Sequence, residues 1–189
     1  MGCTFSRYSR TCGGSPPSTS VGPVAATELP NPNLDVTLAP MNGEARPLRE
    51  WLTTFHMASF VLDPYTNESS WILATAARIM RQFSGAAVRV NFLIACGPDD
   101  ARSFLGPLAD EFLVYCDPDR AAIRALGLSE LPAFVLVQSN GTVPAAAQGW
   151  NATDWKQVAA KVAELTSWSK PSLPAPGDPG AFRGTPALV

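Results

Sequence analysis

The side chains with most chemistry to offer are four cysteines, Cys3, Cys12, Cys96 and Cys116, and one histidine, His56. A cysteine attacks as its thiolate, which forms where a cation, a metal or a helix N-terminus stabilises the charge. Cys96 and Cys116 each follow a short apolar run, 88–95 and 112–115, with the character of a β-strand. Strands joined by a helical crossover lie parallel, so both thiols are expected at the C-terminal edge of one sheet, where α/β proteins place ligands. There they are candidate redox thiols able to pair reversibly. The competing reading makes each a small buried hydrophobe, because no neighbouring cation argues for activation. Serine chemistry has less support. Ser69 or Ser70 would need an adjacent base to attack, and His56 precedes a strand at the sheet end opposite the helix that carries them. Asp99, Asp100, Asp117 and Asp119 are read as helix caps, and one histidine with scattered acids makes no metal site. Cys12-Gly13-Gly14 has neither the strand nor the helix that a phosphate-cradling loop requires. No cofactor is expected.

Composition narrows the classes further. The 189 residues suffice for one domain with tails, and 46% of them are apolar, enough for a real core. Fourteen basic against sixteen acidic residues leave a net charge of −2, with no surplus for nucleic acid. No apolar run approaches the roughly 18 residues of a membrane helix. Met1-Gly2-Cys3-Thr4-Phe5-Ser6 fits an N-myristoylation pattern with Cys3 as a palmitoylation partner. The Ala/Pro-rich usage resembles a bacterial protein, so a cytoplasmic location is expected, with the lipid anchor as the alternative. The sequons at Asn67, Asn140 and Asn151 are read as turn and cap chemistry.

The elements that must position these residues follow from the hydrophobic pattern. Residues 1–33 are Ser/Pro/Gly-rich and expected to form a flexible arm. Leu34 to Leu38 alternates before Asn42-Gly43, giving an opening hairpin, and Pro47 to Phe55 suits a short helix burying Leu48, Trp51 and Leu52. Met57 to Leu62 is a strand. Thr66 or Asn67 caps a long helix to Phe83 with the stripe Ile72, Ala76, Ile79, Met80 and Phe83. Strand 88–95, a helix over 99–110 broken at Gly106-Pro107, and strand 112–115 follow. Asp117-Pro118-Asp119 is expected to begin a helix that Gly127 ends. Ala133 to Val137 and Thr142 to Ala147 form a hairpin around Asn140-Gly141, and 152–167 is a last helix with Trp155, Val158, Val162 and Leu165 on one stripe. Five prolines after Lys170 rule out helix or central strand. The 168–189 tail is expected to lie extended across the 34–167 domain through Leu173 and Phe182. Of the five tryptophans, Trp71 and Trp150 are candidates to line a groove beside Pro132, and most are expected as core or tail-docking anchors.

This order predicts an α/β fold with a mixed central sheet and helices on both faces. One stretch is more specific: Val114-Tyr115-Cys116-Asp117-Pro118-Asp119-Arg120, Ala125-Leu126-Gly127-Leu128, Leu131-Pro132-Ala133-Phe134, then Asn140-Gly141-Thr142-Val143. It resembles the thioredoxin-like superfamily, in particular its branch of peroxiredoxins and thiol–disulfide reductases. The resemblance covers about residues 34–167 and implies a cis Leu131-Pro132 bond. It also implies a reactive thiol at the start of the long helix. In this sequence Asn67-Glu68-Ser69-Ser70 stands where Cys-x-x-Cys would be, and no cysteine lies between 13 and 95. The expectation is therefore a redox-inactive module, without CxxC or peroxidatic cysteine, that retains a groove for a peptide or protein partner. Thr66, Asn67, Ser69, Ser70, Leu131 and Pro132 are the groove candidates. The alternative is a thiol-dependent oxidoreductase or antioxidant protein working through the displaced Cys96 and Cys116.

Overall fold

The structure is a computed structural model and describes residues 27–188. The chain runs β1 (Thr27–Leu29), β2 (Thr37–Pro40), β3 (Arg46–Pro47), α1 (Leu48–Trp51), β4 (His56–Leu62), α2 (Asn67–Gln82), β5 (Val88–Ile94) and α3 (Pro98–Leu105). It continues through α4 (Leu108–Glu111), β6 (Leu113–Cys116), α5 (Ala121–Ala125), β7 (Glu130–Leu131), β8 (Ala133–Val137), β9 (Val143–Gln148), α6 (Ala152–Thr166) and β10 (Thr185–Pro186). Eight strands form one sheet in the order β1-β9-β8-β4-β5-β6-β2-β3, and β7 pairs with β10 in a two-stranded sheet beside it. The contacts of β4 with β5 and of β5 with β6 are parallel, while β4–β8, β8–β9, β2–β6 and β2–β3 are antiparallel.

Alternation along the central strands divides the core. Ala58, Phe60 and Leu62 of β4 face one layer with Phe92, Ile94, Phe134 and Leu136, under α2, α3 and α6. Met57 and Val61 face the other with Leu93, Val135 and Val137, under α1 and α5. A pleated strand sends neighbours to opposite sides, so a strand covered on both faces is apolar almost throughout. The α2 stripe Ile72, Ala76, Ile79, Met80 and Phe83 is wholly buried. Phe60 stacks on Phe134 at a centroid distance of 4.2 Å, with Trp155 against both.

Several expectations change. The opening helix is only the turn Leu48–Trp51, although Leu48 and Leu52 are buried as expected. The Asp117-Pro118-Asp119 helix starts later, at Ala121, after Arg120 in the left-handed region at φ 54°. Asp117 still caps it, because its carboxylate accepts from the Ala122 and Ile123 amides at 3.2 and 2.9 Å. The sheet also begins before residue 34: β1 pairs antiparallel with β9. An edge strand of three residues is held by main-chain bonds, which leave no hydrophobic period to read.

The proline-rich tail is docked along its length. Leu173 is buried, Phe182 packs on the α2 side of the core, and Trp150 and Phe182 exchange two backbone hydrogen bonds of 2.9 Å each. The Trp150 indole donates to the Pro179 carbonyl at 2.8 Å, and Trp71 meets Phe182 edge-to-face. Asp178 anchors the middle, accepting from both Arg78 (2.7 and 2.8 Å), Thr75 (2.8 Å) and the Ala175 amide (2.7 Å). Burial alone would raise its pKa; the Ala175 amide, Arg78 and Thr75 outweigh that and hold it below the usual carboxylate value. Its contribution is complete above the unfolded-chain pKa of about 3.9 and is lost as pH falls through the lower folded value. Hydrogen-exchange protection of the Phe182 amide is expected to fall in that acid window. In Asp178→Asn the acid dependence disappears, and protection at neutral pH drops about 10- to 100-fold, the loss of a charge-assisted bond worth roughly 1.5–3 kcal/mol.

Candidate functional site

The three parallel strands end together, with Leu62, Ile94 and Cys116 in register, and α2 starts five residues after β4 stops. The intervening turn is closed by its own polar groups. The Asp63 amide donates to Ser69 Oγ at 2.9 Å, and the Thr66 hydroxyl bonds the Asp63 carbonyl at 3.0 Å and Ser69 Oγ at 3.1 Å. Thr66 is the N-cap by backbone conformation but uses its hydroxyl in this turn, not to cap the α2 amides. Ser69 is fully buried, while Asn67 and Ser70 are exposed. His56 lies at the other end of β4, where its Nδ1 accepts from the Ser139 amide at 3.1 Å. Among the described residues Ser69 Oγ thus bonds the Asp63 amide and the Thr66 hydroxyl, neither of them a base that could activate it.

The carboxylate of Asp63, 4% exposed as a residue, takes the Tyr65 amide at 3.0 Å on one oxygen and the Arg120 guanidinium at 2.7 Å on the other. A second Arg120 nitrogen donates to the Ala187 carbonyl at 2.7 Å. Sequence reasoning missed this linkage. Its signals were present: Arg120 closes the Asp117-Pro118-Asp119-Arg120 run, and Asp63 follows a largely apolar, buried strand. Nothing in their spacing links residues 63, 120 and 187.

Cys96 and Cys116 do lie at the same sheet edge, both buried and both free. Burial pushes the Cys96 thiol up to about 12, with Cys116, Asp100 and Asp63 adding in the same direction, and burial raises Cys116 as well. The Cys96 Sγ donates to the Gly97 carbonyl at 3.2 Å. Cys3 and Cys12, like the lipidation pattern, fall outside the described residues. Among the described residues no cluster of three or more His, Cys, Asp or Glu is placed to hold a metal, and no helix is long and apolar enough to cross a membrane.

The groove beside Pro132 needs a correction: it is not open. Leu131 and Pro132 are buried, the bond between them is cis, and β10 of the tail pairs antiparallel with β7 immediately before it, Thr185 opposite Leu131 and Pro186 opposite Glu130. The Ala187 amide donates to the Ser129 carbonyl at 2.8 Å, and Ala187 is fully buried. The candidate residues therefore separate. Leu131 and Pro132 lie under the chain's own C-terminal strand, Thr66 and Ser69 are spent inside the turn, and Asn67 and Ser70 face outward. Trp71 and Trp150 hold the tail through Phe182 in place of lining an empty groove.

Removing the guanidinium would strand a buried carboxylate. Arg120→Ala is expected to cost roughly 3–5 kcal/mol in denaturant unfolding, and Asp63→Ala in the same chain should return a large part of it.

No family model and no curated protein matches the chain. Solved structures do. MTB DsbF aligns at TM-score 0.58 and 16% identity over 70% of this chain and 96% of its own. A secreted Mycobacterium tuberculosis disulfide oxidoreductase homologous to E. coli DsbE aligns at 0.55 and 18%, over 70% and 97%. Xanthomonas campestris peroxiredoxin Q aligns at 0.58 and 17%, over 76% and 97%. With its central parallel strands flanked by the β8–β9 hairpin, and with neighbours drawn from the thiol–disulfide and peroxiredoxin branch, the chain has the thioredoxin-like fold.

Proposed function

We propose that this domain is a redox-inactive binding module for a peptide or protein partner, working through the surface beside Pro132 and not through thiols. The observation that carries the reading is the start of α2, where Ser69 is fully buried and its hydroxyl accepts from the Asp63 amide. A serine cannot form a disulfide, and without a base it does not attack. The described cysteines give no substitute activation: Cys96, at about 12, holds a thiolate fraction near 10⁻⁴ at pH 8, against about 0.2 for an ordinary cysteine, and burial shifts Cys116 in the same direction.

The second reading, redox chemistry at Cys96 and Cys116, draws on one observation: Cys116 ends β6, and Cys96 lies two residues beyond the end of the parallel neighbour β5, at the same edge. Differential alkylation separates the two readings. In a C3S/C12S background, native alkylation of Cys96 at pH 8 is expected about a thousandfold slower than in denaturant, and that of Cys116 slower as well, with the same mass after mild oxidant and after reductant. Disulfide-reductase and peroxidase rates should match a protein-free control. A reversible loss of two mass units that protects both thiols would overturn the binding-module reading in favour of the displaced-thiol one.

A further inference from the structure

The tail segment on β7 is seated as a ligand would be. Its register places Thr185 opposite Leu131 and Pro186 opposite Glu130, and the Ala187 amide bonds the Ser129 carbonyl. In an antiparallel ladder hydrogen-bonded and non-hydrogen-bonded pairs alternate. Residues 185 and 187 thus occupy bonding positions, and Pro186 falls at the position that needs no amide. Upstream, Phe182 pairs with Trp150 through the main chain and meets Trp71 edge-to-face. Between these anchors, at Gly184, the backbone passes too close for any side chain. A Cβ on Gly184 would stand 2.8 Å from the Leu131 carbonyl oxygen, and one on Gly149 2.8 Å from the Gly184 nitrogen. At the far end Ala187 is fully buried with its carbonyl on Arg120.

These contacts define a recognition pattern: an aromatic residue, an exposed position from which Arg183 here donates to Glu130 at 2.9 Å, then glycine, threonine, proline, alanine, in extended conformation. Main-chain bonds supply affinity to any added strand, and the glycine contact, the aromatic seat and the small buried site supply selectivity. We infer that the β7 edge is a strand-addition site for partner segments of this Phe-x-Gly-Thr-Pro-Ala type, and that residues 182–187 are its built-in competitor. A partner then binds by replacing the tail, and its apparent affinity in the intact chain is reduced by the fraction of time the edge is covered. The inference rests on the binding-module reading and adds the partner's chemistry and the means of control.

The probe is a labelled peptide of the chain's own residues 180–188, Gly-Ala-Phe-Arg-Gly-Thr-Pro-Ala-Leu, titrated by fluorescence anisotropy into the full chain and into its Gly184→Val variant. That substitution forces the tail's backbone away from Leu131 and leaves the receiving surface unaltered. The peptide is expected to bind the variant at least tenfold more tightly than the wild type. A peptide with alanine at its Gly184 position should lose at least tenfold on the variant. Hydrogen exchange at Thr185 and Ala187 reports whether the variant's tail has left. Equal affinity for both proteins overturns the inference, as does an absence of binding once those amides exchange freely in a folded variant. Continued protection in Gly184→Val overturns it too, by making the tail a permanent part of the fold. A tail-exchanged dimer of the wild type, seen by sedimentation, would assign the edge to a second copy and overturn the partner proposal. None of these results alters the alkylation outcome, so failure here leaves the non-redox reading to its own test.

Discussion

A carboxylate and a guanidinium taken out of water together must be paired closely, and Asp63 and Arg120 are so paired, at 2.7 Å with side chains 6% and 13% exposed. The bond joins the end of β4 to the turn before α5, across the ends of three strands that the sheet already holds in register. Its second arm reaches the Ala187 carbonyl, so the last described turn of chain is referred to the sheet edge. Arg120 adopts a left-handed backbone, an uncommon conformation for a residue with a side chain. The rest of the site is arranged around this pair.

The same end of the sheet carries the observations behind the proposed separation of fold and chemistry. A thioredoxin-like helix start offers amides and a positive dipole end to whatever stands there. Here a buried serine stands in that turn, tied to Asp63 and Thr66. The two cysteines among the described residues lie in the same core layer as α2, buried among apolar side chains, and beside Cys96 the carboxylates of Asp100 and Asp63 disfavour a further negative charge. A shared fold with disulfide oxidoreductases and peroxiredoxins therefore carries no redox activity by itself.

The tail supplies what a short exposed strand lacks. Without the tail, Leu131 of β7 would lack its main-chain partner, and such an edge is either covered or available to another chain. Asp178, Phe182 and Ala187 hold the cover at three separate points: a charged network, an aromatic seat and a buried methyl. Because the anchors are distributed, loss of one loosens only part of the strap.

The sequence by itself determined the order of elements and the two core layers. Period-two and period-3.6 patterns are local, and Phe60, Ile72 or Val158 lie inside whatever the chain ends do. It also determined the absence of a thiol at the α2 start, since no cysteine lies between 13 and 95. It indicated that Leu173 and Phe182 would dock, because apolar residues in a polar, proline-rich stretch have few other uses. The tertiary structure decided everything that depends on contacts between distant residues. These are the pairing of Asp63 with Arg120 and Ala187, the edge strand β1, the later start of α5, and above all the covering of Leu131 by Thr185. Hydrogen bonds between main chains 54 positions apart leave no trace in side-chain pattern, and a buried ion pair is specified by where the backbone brings its partners, not by the spacing between them.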